Sequence, residues 1–293
     1  MVPLMNEIGL DAEWRTIHGS PAFFDVTKSF HNALQSGPLD LTKQTKNIYL
    51  DINEEFANFS HLNNYDCLIV HDPQPLPLIK FYRKQQPWIW RCHIDITEPN
   101  KELWEFLKPF IIRYDMIIIS SEKYRKKDIP VPQRVIPPAI DPLSLKNKDL
   151  SQDEIMKCIH DSNIPTDKPI VTQVSRMDLW KDPEGVLEVF KLVKEKVDCR
   201  LLYCYNLATD DPEGMKIYER VHEKAKKFVD SGDVLFVVGN NELLVNAIQR
   251  FSTVILQKSI KEGFGLVVSE ALWKGKPDFL LILMIMPSVL TEL

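Results

Sequence analysis

Two glutamates separated by seven residues frame the stretch of this chain richest in chemistry, Lys261-Glu-Gly-Phe-Gly-Leu-Val-Val-Ser-Glu270. Gly263 and Gly265 permit a positive φ or a close backbone approach. From Leu266 onward the apolar residues take helical spacing, so Phe264 sits in a tight loop that runs into a helix. Such a loop aims unpaired amides and the positive end of the helix dipole at its occupant, which suits phosphate. Glu262 stands before the turn and Glu270 about one and a half turns into the helix. The two carboxylates therefore address different parts of one elongated ligand and do not share a proton. The same residues also describe an ordinary helix–strand connection with two solvated glutamates, and this stretch alone does not separate the two readings.

Other groups sit where strands should end. In Ser175-Arg176-Met-Asp-Leu-Trp-Lys181 two cations follow an apolar run. Arginine grips phosphate bidentately and lysine adds a point charge, so the pair suits a diphosphate. Taken alone it reads as a solvated loop; beside the Gly-Phe-Gly stretch it gains weight, because strand ends of one parallel sheet share an edge. His71 and Asp72 end one apolar run, and Arg91, His93 and Asp95 end another. Asp210-Asp211 resembles a metal-binding acidic pair, but it precedes Pro212 and reads as a helix N-cap. His18, His31, His61, His160 and His222 have no partners at ligand spacing, so no metal site is expected. No H-E-x-x-H, P-loop or G-x-G-x-x-G pattern occurs.

The elements that position these groups alternate. Residues 2–10 read as the last turns of an amphipathic helix, 11–17 as a strand, and 22–35 and 41–60 as helices. Strands over 66–71, 88–93 and 115–120 are continuous apolar runs, as expected of parallel strands buried on both faces. Helices over 76–85 and 101–114 separate them. Arg134-Val-Ile-Pro-Pro-Ala-Ile-Asp-Pro142 reads as an extended linker, and Ser151-Gln-Asp-Glu154 as a capping box opening a helix to about residue 161. Strands over 169–175, 198–205, 233–239 and 253–257 then alternate with helices over 184–196, 213–230 and 242–250. This is the pattern of βαβ units, an α/β fold of two Rossmann-like halves with ligand groups at the carboxyl ends of strands and a cleft between the halves.

Composition narrows the partners. The chain has 293 residues, 44% hydrophobic and 26% charged, with a net charge of −5. That describes a globular protein and argues against nucleic acid as partner. Five cysteines form no C-x-x-C pair, and three lie in apolar runs, so they read as reduced core thiols of a cytoplasmic protein. The start lacks the pattern of a signal peptide. Phe279–Met286 is apolar but far short of the roughly 20 residues of a membrane span.

The combination of Glu262-Gly-Phe-Gly-(x4)-Glu270, Arg176 with Lys181, and the Pro-Pro-Ala-Ile-Asp-Pro linker resembles the retaining GT-B glycosyltransferases. Within them, His71-Asp-Pro-Gln-Pro, Gln86-Pro-Trp-Ile-Trp-Arg-Cys-His-Ile-Asp95, Ile140-Asp-Pro-Leu-Ser144 and Leu256-Gln-Lys-Ser-Ile-Lys-Glu-Gly-Phe-Gly265 resemble the trehalose glycosyltransferring synthases, from residue 1 to Pro277. The resemblance implies transfer of glucose from a nucleoside-diphosphate glucose to glucose, without cofactor or required metal, between small-molecule partners; a homodimer is admitted. It implies catalytic roles for Asp72, His93, Arg176, Lys181 and Glu262: Arg176 and Lys181 on the diphosphate, Glu262 on the glucose hydroxyls. Gly263, Phe264, Gly265 and Leu266 would meet phosphate and glucose, Glu270 the ribose, and Gly239 and Asn240 the base. His71, Arg91 and Asp95 join the sugar end.

The implied domains are 1–139, acceptor-side and lacking its first strand; 140–165, linker and helix; and 166–277, nucleotide-sugar-binding and incomplete. Residues 278–293 form an apolar tail outside the pattern. Members of the family begin with a further strand and a Gly-rich loop, and continue past Lys276-Pro277 with a strand and a Gly-Gly loop. Here the tail has helix-like composition and reads as a shifted frame or a degenerate end. Two alternatives stand beside transfer to glucose: a non-catalytic remnant that at most binds a sugar nucleotide, and a retaining glucosyltransferase with another acceptor.

Overall fold

The computed structural model describes residues 2–206, 212–276 and 278–280. It resolves into two compact units that interleave along the chain. The first comprises Met1–Cys92, Glu98–Ile118 and Lys126–Arg134; the second comprises His93–Thr97, Ile119–Arg125 and Val135–Leu293. Two short excursions beyond strand ends thus belong to the second unit, and no shift in composition marks them. Asp210 and Asp211 lie outside the described residues.

The first unit holds helices α1 (Val2–Glu7), α2 (Pro21–Leu34), α3 (Lys43–Ser60) and α4 (Lys101–Ile111). Its sheet runs in the order β1 (Leu68–His71), β2 (Trp88–Arg91), β3 (Met116–Ile119), β4 (Gln133–Val135). The β1–β2 and β2–β3 pairs are parallel, with His71 opposite Arg91. Short polar residues start the helices: Ser20, Thr42 and Asn100 each accept first-turn amides of α2, α3 and α4. The core gathers Phe23 and Phe30 of α2, Tyr49 of α3, Leu103 and Leu107 of α4, and Trp88 and Trp90 of β2, all fully buried.

Three segments here differ from the sequence expectation. Residues 11–17 form no strand. A strand needs a hydrogen-bonded neighbour; instead the Ala12 amide donates to Asn6 Oδ1 at 2.8 Å, and Trp14 leans on the His71 ring at 5.3 Å. In place of a helix over 76–85 there is a five-residue 3-10 turn, Leu76–Lys80. Pro73, Pro75 and Pro77 remove alternate amide donors, and bonds such as Leu78 N to Pro75 O, 3.1 Å, are of the tighter kind. The expected linker from Arg134 begins as strand β4: Ile136 N donates to Ile119 O at 3.0 Å, and only Pro137 and Pro138, which have no amide hydrogen, end the pairing.

The second unit is doubly wound. Its helices are α5 (Gln152–Asp161), α6 (Pro183–Lys194), α7 (Pro212–Asp230), α8 (Glu242–Phe251) and α9 (Leu266–Trp273). Its strands are β5 (Ile170–Arg176), β6 (Arg200–Asn206), β7 (Val234–Val238), β8 (Val254–Gln257) and β9 (Asp278–Leu280), in the order β7-β6-β5-β8-β9, all pairs parallel. Period-two alternation on β6 feeds two cores: Leu201, Tyr203 and Tyr205 pack with Val186, Phe190 and Val221, while Leu202 and Cys204 pack with Ile155, Ile159 and Ile248. The capping box at Ser151 forms, with both reciprocal bonds present. Residues 278–280, expected within a tail of helix-like composition, are instead strand, with Phe279 opposite Leu256. Ladder bonds to an adjacent strand outweigh local composition there.

Strand order reverses at β5, with β6 and β7 on one side and β8 and β9 on the other. The loops leaving β5 and β8 therefore diverge, and between them lies the crevice where parallel α/β sheets bind ligands. Arg176 ends β5 and Gln257 ends β8. Among the described residues no helix is long and apolar enough to cross a membrane.

Candidate active site

At this switch point the β5 and β8 loops meet through side chains. Lys181 ion-pairs with Glu262 Oε2, and the same oxygen accepts Gln257 Nε2 at 2.7 Å and Ser259 Oγ at 3.1 Å. All three donors converge on Oε2, so Oε1 keeps its capacity to accept from a ligand hydroxyl. The β5 loop is pinned from below: Gln173 Nε2 donates to Lys181 O at 2.8 Å, and buried Asp178 accepts Trp180 N at 2.9 Å. Arg176, ion-paired to Asp178 at 3.2 Å, keeps a side chain 44% exposed. Lys258 ion-pairs with Asp182, the N-cap of α6, tying the two loops a second time.

The Gly-Phe-Gly turn depends on both glycines. A Cβ on Gly263 would lie 2.0 Å from the His93 carbonyl oxygen, so only glycine fits without displacement. Gly265 has φ 88° and stands at the start of α9 with no side-chain cap. The first-turn amides at Gly265, Leu266 and Val267 therefore have no side-chain cap, the arrangement of helix termini that can bind phosphate. Tyr124 Oη donates to the carbonyls of Glu262 and Gly263, at 2.8 and 3.0 Å. Leu266 is exposed and Phe264 half-buried. Glu270, by contrast, is 3% exposed, with Oε2 accepting Gln249 Nε2 at 2.9 Å and Oε1 paired to Lys146 at 2.6 Å. Gly239 follows β7, and its amide donates to Tyr205 O at 2.6 Å; Asn240 beside it is exposed.

In the first unit the structure brings together His71, Asp72 and Arg91 at the ends of β1 and β2. Asp72 has φ 61°, a left-handed conformation uncommon outside glycine, fixed by its amide on Arg91 O at 2.8 Å and by Trp90 Nε1 on its carbonyl at 3.0 Å. Arg91 is buried, and its guanidinium is pushed below its usual range by that burial, partly offset by Asp72. Burial, with the adjacent Arg91 charge, also lowers the His71 pKa, so the imidazole is neutral at pH 7. His93 and Asp95 belong to the second unit. Asp95 Oδ1 closes a turn, accepting Thr97 N at 2.9 Å and Thr97 Oγ1 at 2.6 Å.

Sequence reasoning passed over Gln257 and Ser259, although polar residues directly after an apolar strand are a usable signal. Tyr124, Gln249 and Lys274 carried no local signal, since their partners lie 138, 21 and 25 residues away. Among the described residues no group of three or more His, Cys, Asp or Glu is placed to hold a metal.

Comparison with known proteins identifies the family of the chain. Residues 1–126 match the model of the trehalose synthase N-terminal domain, and residues 156–279 that of glycosyl transferases group 1. The chain is 48% identical over 280 residues to a trehalose synthase of Thermococcus litoralis, spanning 94% of this chain and 68% of that protein. It is 40% identical over 288 residues to a trehalose synthase of Rubrobacter xylanophilus, with the same coverage. Among solved structures, a trehalose-6-phosphate synthase superposes with a TM-score of 0.70 at 15% identity, covering 87% of this chain and 67% of that one. That likeness establishes the fold, the paired Rossmann-type units of the GT-B class.

Proposed function

The chain belongs to the trehalose synthase family of glycosyltransferases, and from that membership we propose that it moves glucose from a nucleoside-diphosphate glucose to free glucose, forming trehalose with retention. The observation that carries the reading is Lys181 paired to Glu262 beside the uncapped N-terminus of α9, at the switch point of the sheet. A diphosphate offers Lys181 more negative charge than one carboxylate does, so donor binding draws the ammonium toward phosphate and releases Glu262 to accept glucose hydroxyls. Arg176 and the amides from Gly263 to Leu266 hold the rest of the departing charge.

The bond from C1 to the phosphate oxygen breaks, its electron pair leaving with the diphosphate as an oxocarbenium-like centre develops. The acceptor hydroxyl attacks on the face just vacated, and its proton passes to the leaving phosphate. Glu270 takes the ribose hydroxyls, and Gly239 and Asn240 meet the base. His71, Asp72, Arg91, His93 and Asp95 serve the sugar end, with neutral His71 able both to donate and to accept. The reading includes a cytoplasmic location, checked by cell fractionation, and admits a homodimer, checked by light scattering.

The test is incubation of the purified chain with labelled nucleoside-diphosphate glucose and free glucose. A labelled non-reducing disaccharide is expected. Donor binding by calorimetry without any disaccharide would overturn transfer in favour of a chain that only binds the nucleotide sugar. Product formed with phosphate or a sugar phosphate in place of glucose would reassign the acceptor.

A further inference from the structure

Behind Glu270 lies a buried polar ring that the proposed chemistry does not use. Lys274, one helical turn beyond Glu270 and 8% exposed, donates from Nζ to Gln249 Oε1 at 2.7 Å and to Asn147 Oδ1 at 2.9 Å. Gln249, fully buried, passes the first contact on through Nε2 to Glu270 Oε2. Asn147, 3% exposed, is the chain neighbour of Lys146, which pairs with Glu270 Oε1. One ammonium therefore holds Gln249, which flanks the Glu270 carboxylate, and also touches Asn147, the chain neighbour of Lys146.

The direction of this relay is dictated by chemistry. An ammonium only donates, so Gln249 must turn its oxygen to Lys274 and its NH2 to Glu270. Without Lys274 the Gln249 oxygen is left buried without its donor, and only the contact to Glu270 still holds the amide. The Oε2 side is sealed by buried groups, whereas Lys146 on the Oε1 side is 33% exposed. A carboxylate accepts about four hydrogen bonds; two are in place here, and the partly exposed Lys146 makes the Oε1 side the one nearer solvent.

We propose that Lys274 is a positioning residue that, through Gln249, holds the Glu270 carboxylate so that it accepts the ribose hydroxyls of the nucleotide. This rests on the reading of Glu270 as the ribose carboxylate. It predicts a defect confined to the ribose contact, whereas a lysine that merely stabilised the fold would weaken all nucleotides alike.

The experiment compares uridine and adenosine diphosphates with their 2′-deoxy analogues by calorimetry on the full chain. The unaltered chain should prefer the ribo form of the base it binds by roughly 10-fold to 100-fold, the worth of hydrogen bonds to a charged acceptor. In Lys274→Met that preference should fall to within about threefold of unity, with the affinity for the 2′-deoxy form nearly unchanged. The ratio is taken on one preparation, so an inactive fraction cancels. Where K274M does not fold, Gln249→Leu breaks the same relay one link away and should lose the same preference. Glu270→Gln separates the two layers. A preference kept in E270Q sinks the ribose reading itself; a preference lost in E270Q but kept in K274M or Q249L overturns the role of Lys274 and leaves that reading standing.

Discussion

Glu262 and Glu270 lie at the two ends of one short motif, yet the fold holds them in opposite ways. Glu262 receives all its donors on Oε2, and one of them, Lys181, is a cation with a reason to move toward an anionic ligand. Glu270 is engaged on both oxygens by Gln249 and Lys146, inside a ring closed by Lys274. On the proposed reading the first carboxylate exchanges partners and the second keeps its orientation. This difference suits a donor whose sugar is transformed while its ribose is only gripped.

The largest expected effect is at the exchanging end. On the proposed reading, Lys181→Met removes the charge that meets the leaving diphosphate, and it leaves Glu262 without its cation. Transfer should drop by roughly 100-fold to 1,000-fold in kcat, in the range seen when one transition-state charge stabiliser is deleted. A loss below tenfold would mean that Arg176 and the α9 amides suffice.

Gly263→Ala tests the turn between the two glutamates. Its Cβ would fall 2.0 Å from the His93 carbonyl oxygen, so the loop must shift. Urea unfolding should show a loss of about 1–3 kcal/mol, with transfer reduced further than stability alone explains. Unchanged stability and activity would show that the loop yields freely.

The gripping end should report itself through pH. Burial lowers the Lys274 pKa from 10.5 to about 8, against the opposing pull of Glu270 and with Arg250 and Lys146 adding repulsion. Between those values the unfolded chain binds a proton that the folded chain does not, so the Lys274 contribution to stability rises with pH and is smallest below about pH 8. The stability difference between the unaltered chain and K274M, followed by chemical denaturation from pH 7 to 10, should therefore widen as pH rises. A flat difference would mean that the amine stays charged throughout.

The smallest effect is expected of Tyr124→Phe, which removes the hydroxyl shared by the Glu262 and Gly263 carbonyls. A cost of about 1 kcal/mol is expected, with a severalfold rise in KM for the donor and little change in kcat. An equal loss in kcat would place Tyr124 in the chemical step.

How much of this was legible depended on the range of the interaction. The apolar runs at 88–93 and 198–205, the Ser151 capping box and the strand–helix alternation from residue 169 to 257 are local patterns that the structure realises. Residues 11–17 and 76–85 misled because alternation and apolar content are necessary but not sufficient. The first lacks a pairing partner and the second lacks amide donors at its prolines. Arg176, Lys181 and Glu262 stand out by residue type and place, and the structure pairs Lys181 with Glu262 and Arg176 with Asp178. Tyr124, Gln249 and Lys274 do not stand out, because nothing in a neutral or cationic side chain announces an acceptor far along the chain.

By itself the sequence determined the α/β class, the two Rossmann-like halves and the Glu-Gly-Phe-Gly turn with its cations, since these follow from periodicity, backbone freedom and charge within short windows. Only the tertiary structure decided which oxygen of Glu262 is left for a ligand, why Gly263 admits no side chain beside His93, and that Lys274 closes a ring behind Glu270. Those outcomes are set by hydrogen-bond geometry and excluded volume between segments that only folding brings within 3 Å, a scale on which spacing along the chain carries no information.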